Sequence, residues 1–316
     1  MMPHRISVVT PTFRRPAEVA SLLDSLGRQA LLPFELILVD GAPAEVKETE
    51  RLVAEGIPQL AYPCRYLRHG GGTAIQRNAG IDAAKGDFIA FIDDDIRLEP
   101  GFFQAMMAAY ETDRQGQVGG IVGYRTNEHF TPDNASRWKW YRRLHLLTTY
   151  EPGRYDFQSG YPINANLQPP FAGVRQVDFM TTSCAVWRRQ VVDNGLRFHE
   201  FFRDYGMLED AHFALRAGRQ WDLWQCGDAR CRHDHSPHGR PNRRRVGYKC
   251  VVNYYFVFQD IVHPLTWRHK FRFFRYQVFE LLRMAASAIR RCRRDDWQEV
   301  WGRLEGFAAL SRGLPR

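Results

Sequence analysis

Phe88-Ile89-Ala90-Phe91-Ile92-Asp93-Asp94-Asp95 decides how this chain is read. The five apolar residues predict a strand buried on both faces. Three carboxylates directly after it cannot be core, because packed anions repel one another and lose hydration. They belong in the crevice at the carboxyl ends of a sheet, where open α/β folds bind ligands. Three oxygen-rich side chains there suit Mg2+ or Mn2+, and such a cation draws in a phosphorylated ligand. A solvated acidic turn is the plain alternative, and the triplet alone does not separate the two.

Upstream, strand and helix patterns alternate. Ile6–Thr12 and Phe34–Val39 read as strands, the second ending at Asp40 and a Gly41-Ala42-Pro43 turn. Pro16–Ala30 carries Val19, Leu22, Leu23 and Leu26 at helical spacing; Val46–Ala54 is a second helix and Cys64–Leu67 a short strand. Gly70-Gly71-Gly72 breaks the chain, and Thr73 is placed to cap a helix running to Ala84. The order βαβαβαβ predicts an α/β fold with a mostly parallel sheet and right-handed crossovers. Beyond Gly123 the periodicity weakens, and residues 124–178 read as irregular, substrate-facing structure. Val177–Trp187 and Trp221–Cys226 follow as strands, Val191–Gly195 and Leu208–Ala217 as helices. After Val246 come two or three helices of mixed aromatic and basic character. Three consecutive segments result: a nucleotide-binding half at 1–123, an acceptor-binding and catalytic half at 124–245, and basic C-terminal helices at 246–316.

A chain of 316 residues, 44% hydrophobic, holds one large core or two smaller ones. The six cysteines are scattered without a CxxC pair, which argues against a zinc site or a disulfide framework and for a reducing cytosol. No apolar signal region or bilayer-spanning run is visible. The net charge of +9 is concentrated after residue 230 and suits an anionic partner.

Four motifs stand in one order. They are Val8-Val9-Thr10-Pro11-Thr12-Phe13-Arg14-Arg15, then Ile37-Leu38-Val39-Asp40, then Arg77-Asn78-Ala79-Gly80 leading to Asp93-Asp94-Asp95, then Leu208-Glu209-Asp210 with a later histidine. Over roughly residues 5–240 the chain resembles the family 2 glycosyltransferases of the GT-A fold. The resemblance implies a nucleotide-diphosphate sugar at the carboxyl ends of the first strands. Pro11 and Thr12 would line the base beside Arg14, and Asp40 would accept a pyrimidine N–H. Arg77 would approach the nucleotide with its planar donor fork. Asp93 would meet the ribose, with Asp94 a second candidate, and Asp95 would ligate Mn2+ or Mg2+. Asp210 would be the general base that deprotonates a hydroxyl acceptor, giving single displacement with inversion. His233 in Arg232-His233-Asp234-His235-Ser236-Pro237-His238 fits the register of a metal- or diphosphate-contacting histidine, and His235 is the alternative. Thr181, Thr182, Glu209 and His235 would face the sugar or acceptor.

Plain readings stand beside these. Asp40 also suits a turn, Asp210 a helix cap, Arg77 a helix surface, and Gly70–Gly72 a flexible loop as well as a phosphate cradle. Strand alternation would put Asp93 and Asp95 on one face and Asp94 on the other. Met180-Thr181-Thr182-Ser183 stands where many relatives have glycine, and Phe198-His199-Glu200 where Phe-Asp-Glu is common, so the donor sugar stays open. The acceptor is a lipid-linked glycan, a polysaccharide precursor or a small molecule.

Two rival classes share parts of the pattern. A nucleotidyltransferase would need glycines at the first strand to grip a triphosphate, and Thr10–Arg15 has none. A nucleic-acid-binding protein gains nothing from an aspartate triplet that repels phosphates. After Pro264, aromatics from Trp267 to Phe279 interleave with basic residues, closing on Arg290, Arg291, Arg293 and Arg294. Helices packing on a core are one reading. A peripheral surface for anionic lipid at the inner face of the plasma membrane is the other.

Overall fold

The computed structural model describes residues 4–56, 60–128, 132–204, 206–236, 242–292 and 294–313. Pro237, His238 and Arg293 lie outside them. The chain divides into two compact units, Met1–Phe130 with Asn164–Gly239, and Thr131–Ile163 with Arg240–Arg316. This division cuts across the three consecutive segments read from the sequence.

The first unit is built on a nine-stranded sheet. Its N-terminal part runs β1 (Ile6–Thr12), α1 (Pro16–Gly27), β2 (Glu35–Asp40), α2 (Glu48–Gly56), β3 (Cys64–Arg68), α3 (Thr73–Ala83) and β4 (Phe88–Ile92). β1, β2 and β4 are buried along their whole length, as strands covered on both faces must be. Each large apolar side chain so placed contributes roughly 1.5–3 kcal/mol. β4 pairs in parallel with β1, and β1 with β2, so Thr12 and Asp40 stand side by side at the carboxyl end of these strands. Gly72, not Thr73, is the N-cap of α3; at φ 92° a Cβ there would lie 1.8 Å from the Asp204 carbonyl oxygen.

The C-terminal part of the sheet mixes directions. It comprises β5 (Ile96–Leu98), α4 (Phe102–Thr112), β6 (Val118–Arg125), β9 (Val174–Val177), β10 (Cys184–Arg188), α6 (Arg189–Asp193), α7 (Glu209–Ala217) and β11 (Asp222–His233). β10 runs antiparallel between β4 and β6, and β11 is parallel to β6 and antiparallel to β5 and β9. The single strand expected over Val177–Trp187 is therefore two, and residues 178–183 cross between them. β11 extends well past Cys226 to His233, opposite Ile96. That extra length carries the histidine run to the acidic turn.

The second unit holds α5 (Pro132–Arg143), the two-stranded pair β7 (Tyr155–Asp156) and β8 (Tyr161–Pro162), and the helices α8 (Arg243–Ile261), α9 (Trp267–Arg291) and α10 (Arg294–Ser311). α8 and α10 touch backbone to backbone at Gly302, where a Cβ would meet the Arg244 carbonyl oxygen at 1.8 Å. The core is tyrosine-rich: the Tyr141 hydroxyl donates to Glu280 at 2.6 Å, and Tyr161 and Tyr276 pack against Tyr141. Among the described residues, no helix is long and apolar enough to cross a membrane.

Candidate active site

The acidic turn begins where β4 stops. The Ile96 N–H donates to the Asp93 carbonyl at 3.1 Å, so the chain turns at once and the next strand pairs elsewhere in the sheet. The extended alternation expected for the three aspartates does not apply, because Asp93–Asp95 are turn residues. Each instead meets a cation, and Arg15 stands near two of them, 2.8 Å from Asp94 and 3.6 Å from Asp95.

Asp93 accepts from Arg77 Nη2 at 2.8 Å, and the same guanidinium reaches Glu209 at 3.1 Å through Nη1. Arg77 is no surface residue: it is 3% exposed, lies over the Phe198 ring and forks between two carboxylates brought by α7 and β4. Arg77→Met removes the shared cation and leaves Asp93 facing Glu209. The expected cost is roughly 3–5 kcal/mol, read as a lower urea midpoint at pH 7 and partly recovered at acid pH.

Asp94 is buried, accepting from the Thr12 hydroxyl at 2.7 Å and from Arg15 at 2.8 Å. Burial pushes its carboxyl up to about 6 against the pull of Arg15. The arginine that meets the acidic turn is thus Arg15, and Arg14 is exposed beside the Phe13 ring. Arg14 takes φ 55°, which turns one side chain of the pair out and the next one in. No local sequence signal separates the two.

Asp95 Oδ1 lies 3.2 Å from His233 Nε2, and its other oxygen accepts from the Ser236 N–H at 3.1 Å. His233 Nδ1 lies 2.6 Å from Glu128, which also meets His235 Nε2 at 2.9 Å. Burial works against both charges; the imidazolium nevertheless holds Asp95 down to about 2, and the two carboxylates push His233 up to about 9. Arg125, at the end of β6, binds Glu128 at 3.1 Å and reaches the Thr181 hydroxyl at 3.4 Å. Glu128 and Arg125 are missed by sequence reasoning, since they lie where periodicity fades.

Asp40 is fully buried. It accepts from the Ala42 N–H at 2.8 Å, closing a turn of the Asx kind, and from the Tyr66 hydroxyl at 2.7 Å. Pro11 and Thr12 are buried at the end of β1, and the Thr12 carbonyl accepts from Gln76 at 2.8 Å. Thr182 is buried with no hydrogen-bond partner for its hydroxyl, on the crossing loop whose Ser183 carbonyl accepts from the Asp93 N–H.

Asp210 is the second residue of α7, whose N-cap Leu208 at φ 70° sits in the left-handed region that leucine rarely adopts. Arg14, Leu208 and His235 all share that region beside the site, and such strain clusters where geometry serves chemistry. Burial and the neighbouring Glu209 push the Asp210 carboxyl up to about 7.

The donor set suits a divalent cation. Asp95 offers a carboxylate oxygen and His233 an imidazole nitrogen 3.2 Å apart, close to the roughly 3 Å between adjacent ligands of an octahedral Mg2+ or Mn2+. Glu128 holds His233 from behind, the position from which a carboxylate would fix the ring of a metal-ligating histidine. Glu128, His233 and His235 also place ligand atoms within 4.8 Å of one another.

Comparisons with known proteins bear on the family and the fold. The uncharacterized glycosyltransferase YwdF of Bacillus subtilis is 35% identical over 152 residues, 48% of this chain and 53% of that protein. The succinoglycan biosynthesis protein ExoM of Rhizobium meliloti is 28% identical over 167 residues, 52% of this chain and 51% of that protein. The chain spans about half the length of these curated relatives. Among solved structures, the mannosyltransferase PcManGT of Pyrobaculum calidifontis, in complex with GDP-Man and Mn2+, aligns over 97% of this chain and 88% of its own at TM-score 0.57 and 15% identity. S. aureus TarS 1–349, in complex with UDP-GlcNAc, aligns over 98% and 92% at TM-score 0.51 and 12% identity. These likenesses establish the GT-A fold expected from the order of motifs. A family model described as Glycosyl transferase family 2 matches residues 7–194, more than half of the sequence and the whole stretch from β1 through the acidic turn to α6, and the chain belongs to that family.

Proposed function

We propose that this chain transfers a sugar from a nucleotide-diphosphate sugar to a hydroxyl acceptor, with inversion and with a divalent cation, in cell-surface glycan or polysaccharide synthesis. The observation that carries the reading is the acidic turn in which every aspartate meets a cationic side chain: Asp93 meets Arg77, Asp94 meets Arg15, and Asp95 meets His233 with Arg15 nearby. Such a site is balanced before ligands arrive and exchanges its internal partners for theirs.

Asp93 is the most open of the three and is the group placed to meet the ribose, with Arg77 holding its orientation. Asp94 anchors β1 to the turn, so that Pro11 and Thr12 present a fixed wall to the base. Asp40 shares its oxygens with Ala42 and Tyr66, and contact with a base would need the Tyr66 hydroxyl to give way. Asp95 and His233 are the residues that would hold Mn2+ or Mg2+, which when bound neutralises the departing diphosphate. Asp210 takes the acceptor proton; a carboxyl held near 7 is matched to that task at neutral pH. Thr181, Thr182 and Glu209 lie on the sugar or acceptor side. The structural neighbours' GDP-Man, UDP-GlcNAc and Mn2+ support this donor class. A lipid-linked acceptor and a cytoplasmic setting against the inner face of the plasma membrane complete the reading, supported by the basic helices of the second unit. No nucleic acid is expected to bind.

A thermal-shift screen of nucleotide sugars with Mn2+ tests it. At 100-fold excess over Kd a true donor adds about 2.7 kcal/mol, which is roughly 5–10 °C in Tm. A flat screen, together with a gel shift on nucleic acid, would overturn it.

A further inference from the structure

The helix α9 carries an apolar stripe that the rest of its unit leaves uncovered. Trp267 is 71% exposed, Phe271 60%, Val278 45%, Leu282 63% and Ile289 65%. Their spacings of four, seven, four and seven residues put all five on one face, along about 33 Å of helix. The opposite side is packed: Phe273, Tyr276, Gln277, Glu280 and Ala288 are buried. The aromatic run of the sequence is therefore sorted by the fold, and Phe273 and Tyr276, counted there with the membrane-facing aromatics, belong to the core.

Beside the stripe runs a basic row. Arg268, Arg272, Arg275 and Arg290 fall between the apolar face and the packed face on the helical wheel. Arg272 and Arg275 also line a cavity of about 420 Å3 with His145, Leu147, Thr148 and Tyr150. Arg272 donates to Gln158 at 2.7 Å and Arg275 to the His145 carbonyl, but Arg275 Nε is buried with no hydrogen-bond partner. Two guanidinium groups in its wall give this cavity a cationic character that suits an anionic oxygen.

We propose that α9 lies flat in the surface of an anionic lipid bilayer, its apolar stripe among the acyl chains and a lipid phosphate in the cavity at Arg272 and Arg275. The inference rests on the membrane-side reading above and names its contact face. A span is excluded by the arginine row and by the hydropathy of every described helix. A second copy packed antiparallel on the same stripe would bring the arginine row against itself, which like charges oppose. A membrane instead offers apolar depth and negative charge in the geometry that the helix presents.

Flotation with vesicles of phosphatidylcholine alone, or mixed with phosphatidylglycerol, tests the proposal on the full chain. Binding is expected only with the anionic lipid, weakening as salt rises. Phe271→Glu with Leu282→Glu should abolish it, and Arg272→Gln with Arg275→Gln should lower partitioning roughly 30-fold, the effect of removing two surface cations. All these side chains lie at least partly at the surface, so an unchanged Tm and an unchanged nucleotide-sugar thermal shift show that the variants are folded. That second readout also fails separately: a flat donor screen with intact flotation sinks the transferase reading and leaves the membrane face standing. Equal binding to both vesicles, binding to neither, or a stable dimer that Phe271→Glu with Leu282→Glu dissolves would overturn the proposal.

Discussion

Asp210→Asn is expected to lower kcat by about 10²–10⁴-fold while the donor's thermal shift in Mn2+ stays as in the wild type. Asparagine keeps the shape and can still accept the Ala211 N–H, but it cannot take a proton. The acidity of Asp210 sets a second readout. With its carboxyl held up to about 7, the ionised form that acts as base grows as pH rises through neutrality. The wild-type rate should climb through the same range, and the variant should lose that limb. Stability should move in the opposite direction. A folded carboxyl raised above its ordinary value stabilises the fold at low pH, and that contribution is lost as pH rises through about 7. The asparagine variant should therefore gain on the wild type in urea above neutrality. A fall in donor binding with an unchanged rate at saturation would instead make Asp210 a cap or a donor contact.

Asp95→Ala is expected to abolish transfer in a folded protein and to erase the Mn2+ dependence of nucleotide binding. Asp93→Ala should weaken nucleotide binding more than it changes metal preference, because Asp93 is tied to Arg77 and stands apart from the histidines. His233 supplies a sharper signature. Raised to about 9, it is protonated at neutral pH and must lose that proton to ligate. Cation binding should release about one proton, and apparent affinity should rise about tenfold per pH unit up to about 9. In chelator the Asp95–His233 pair has its own signs. The histidine's contribution is complete below its ordinary value of 6.5 and lost as pH rises through about 9; the aspartate's is complete above 3.8 and lost as pH falls through about 2. Full activity of the wild type in excess chelator would remove the metal from this account.

The parts of the fold legible in the sequence are those set by local physics. The run from Phe88 to Ile92 could only be a covered strand, and three aspartates after it could only leave the sheet. The βαβ alternation before it gave the parallel half. What depends on distant pairing was hidden. β11 continues to His233 because β5 waits opposite it, and nothing near Cys226 announces that partner. Glu128 orients two histidines more than a hundred positions away. Arg14 and Arg15 are alike in sequence, and one φ angle decides which reaches Asp94. The aromatics of α9 likewise divide into core and surface only once the neighbouring helices are in place.

The pairing order of the sheet also bears on the chain's birth. β4 is among its most apolar strands and lies in its middle, yet one of its two flanks is closed only by β10. Cys184, where β10 begins, follows Ile92 by about ninety residues, and the excursion through 131–163 into the second unit comes between. At the usual ~5–20 residues per second of synthesis, the nascent polypeptide carries a bare hydrophobic edge for several seconds. Such an edge is a template for pairing with other chains. Asp93, Asp94 and Asp95 directly after this strand are charges of the kind that oppose such pairing when they flank an apolar segment.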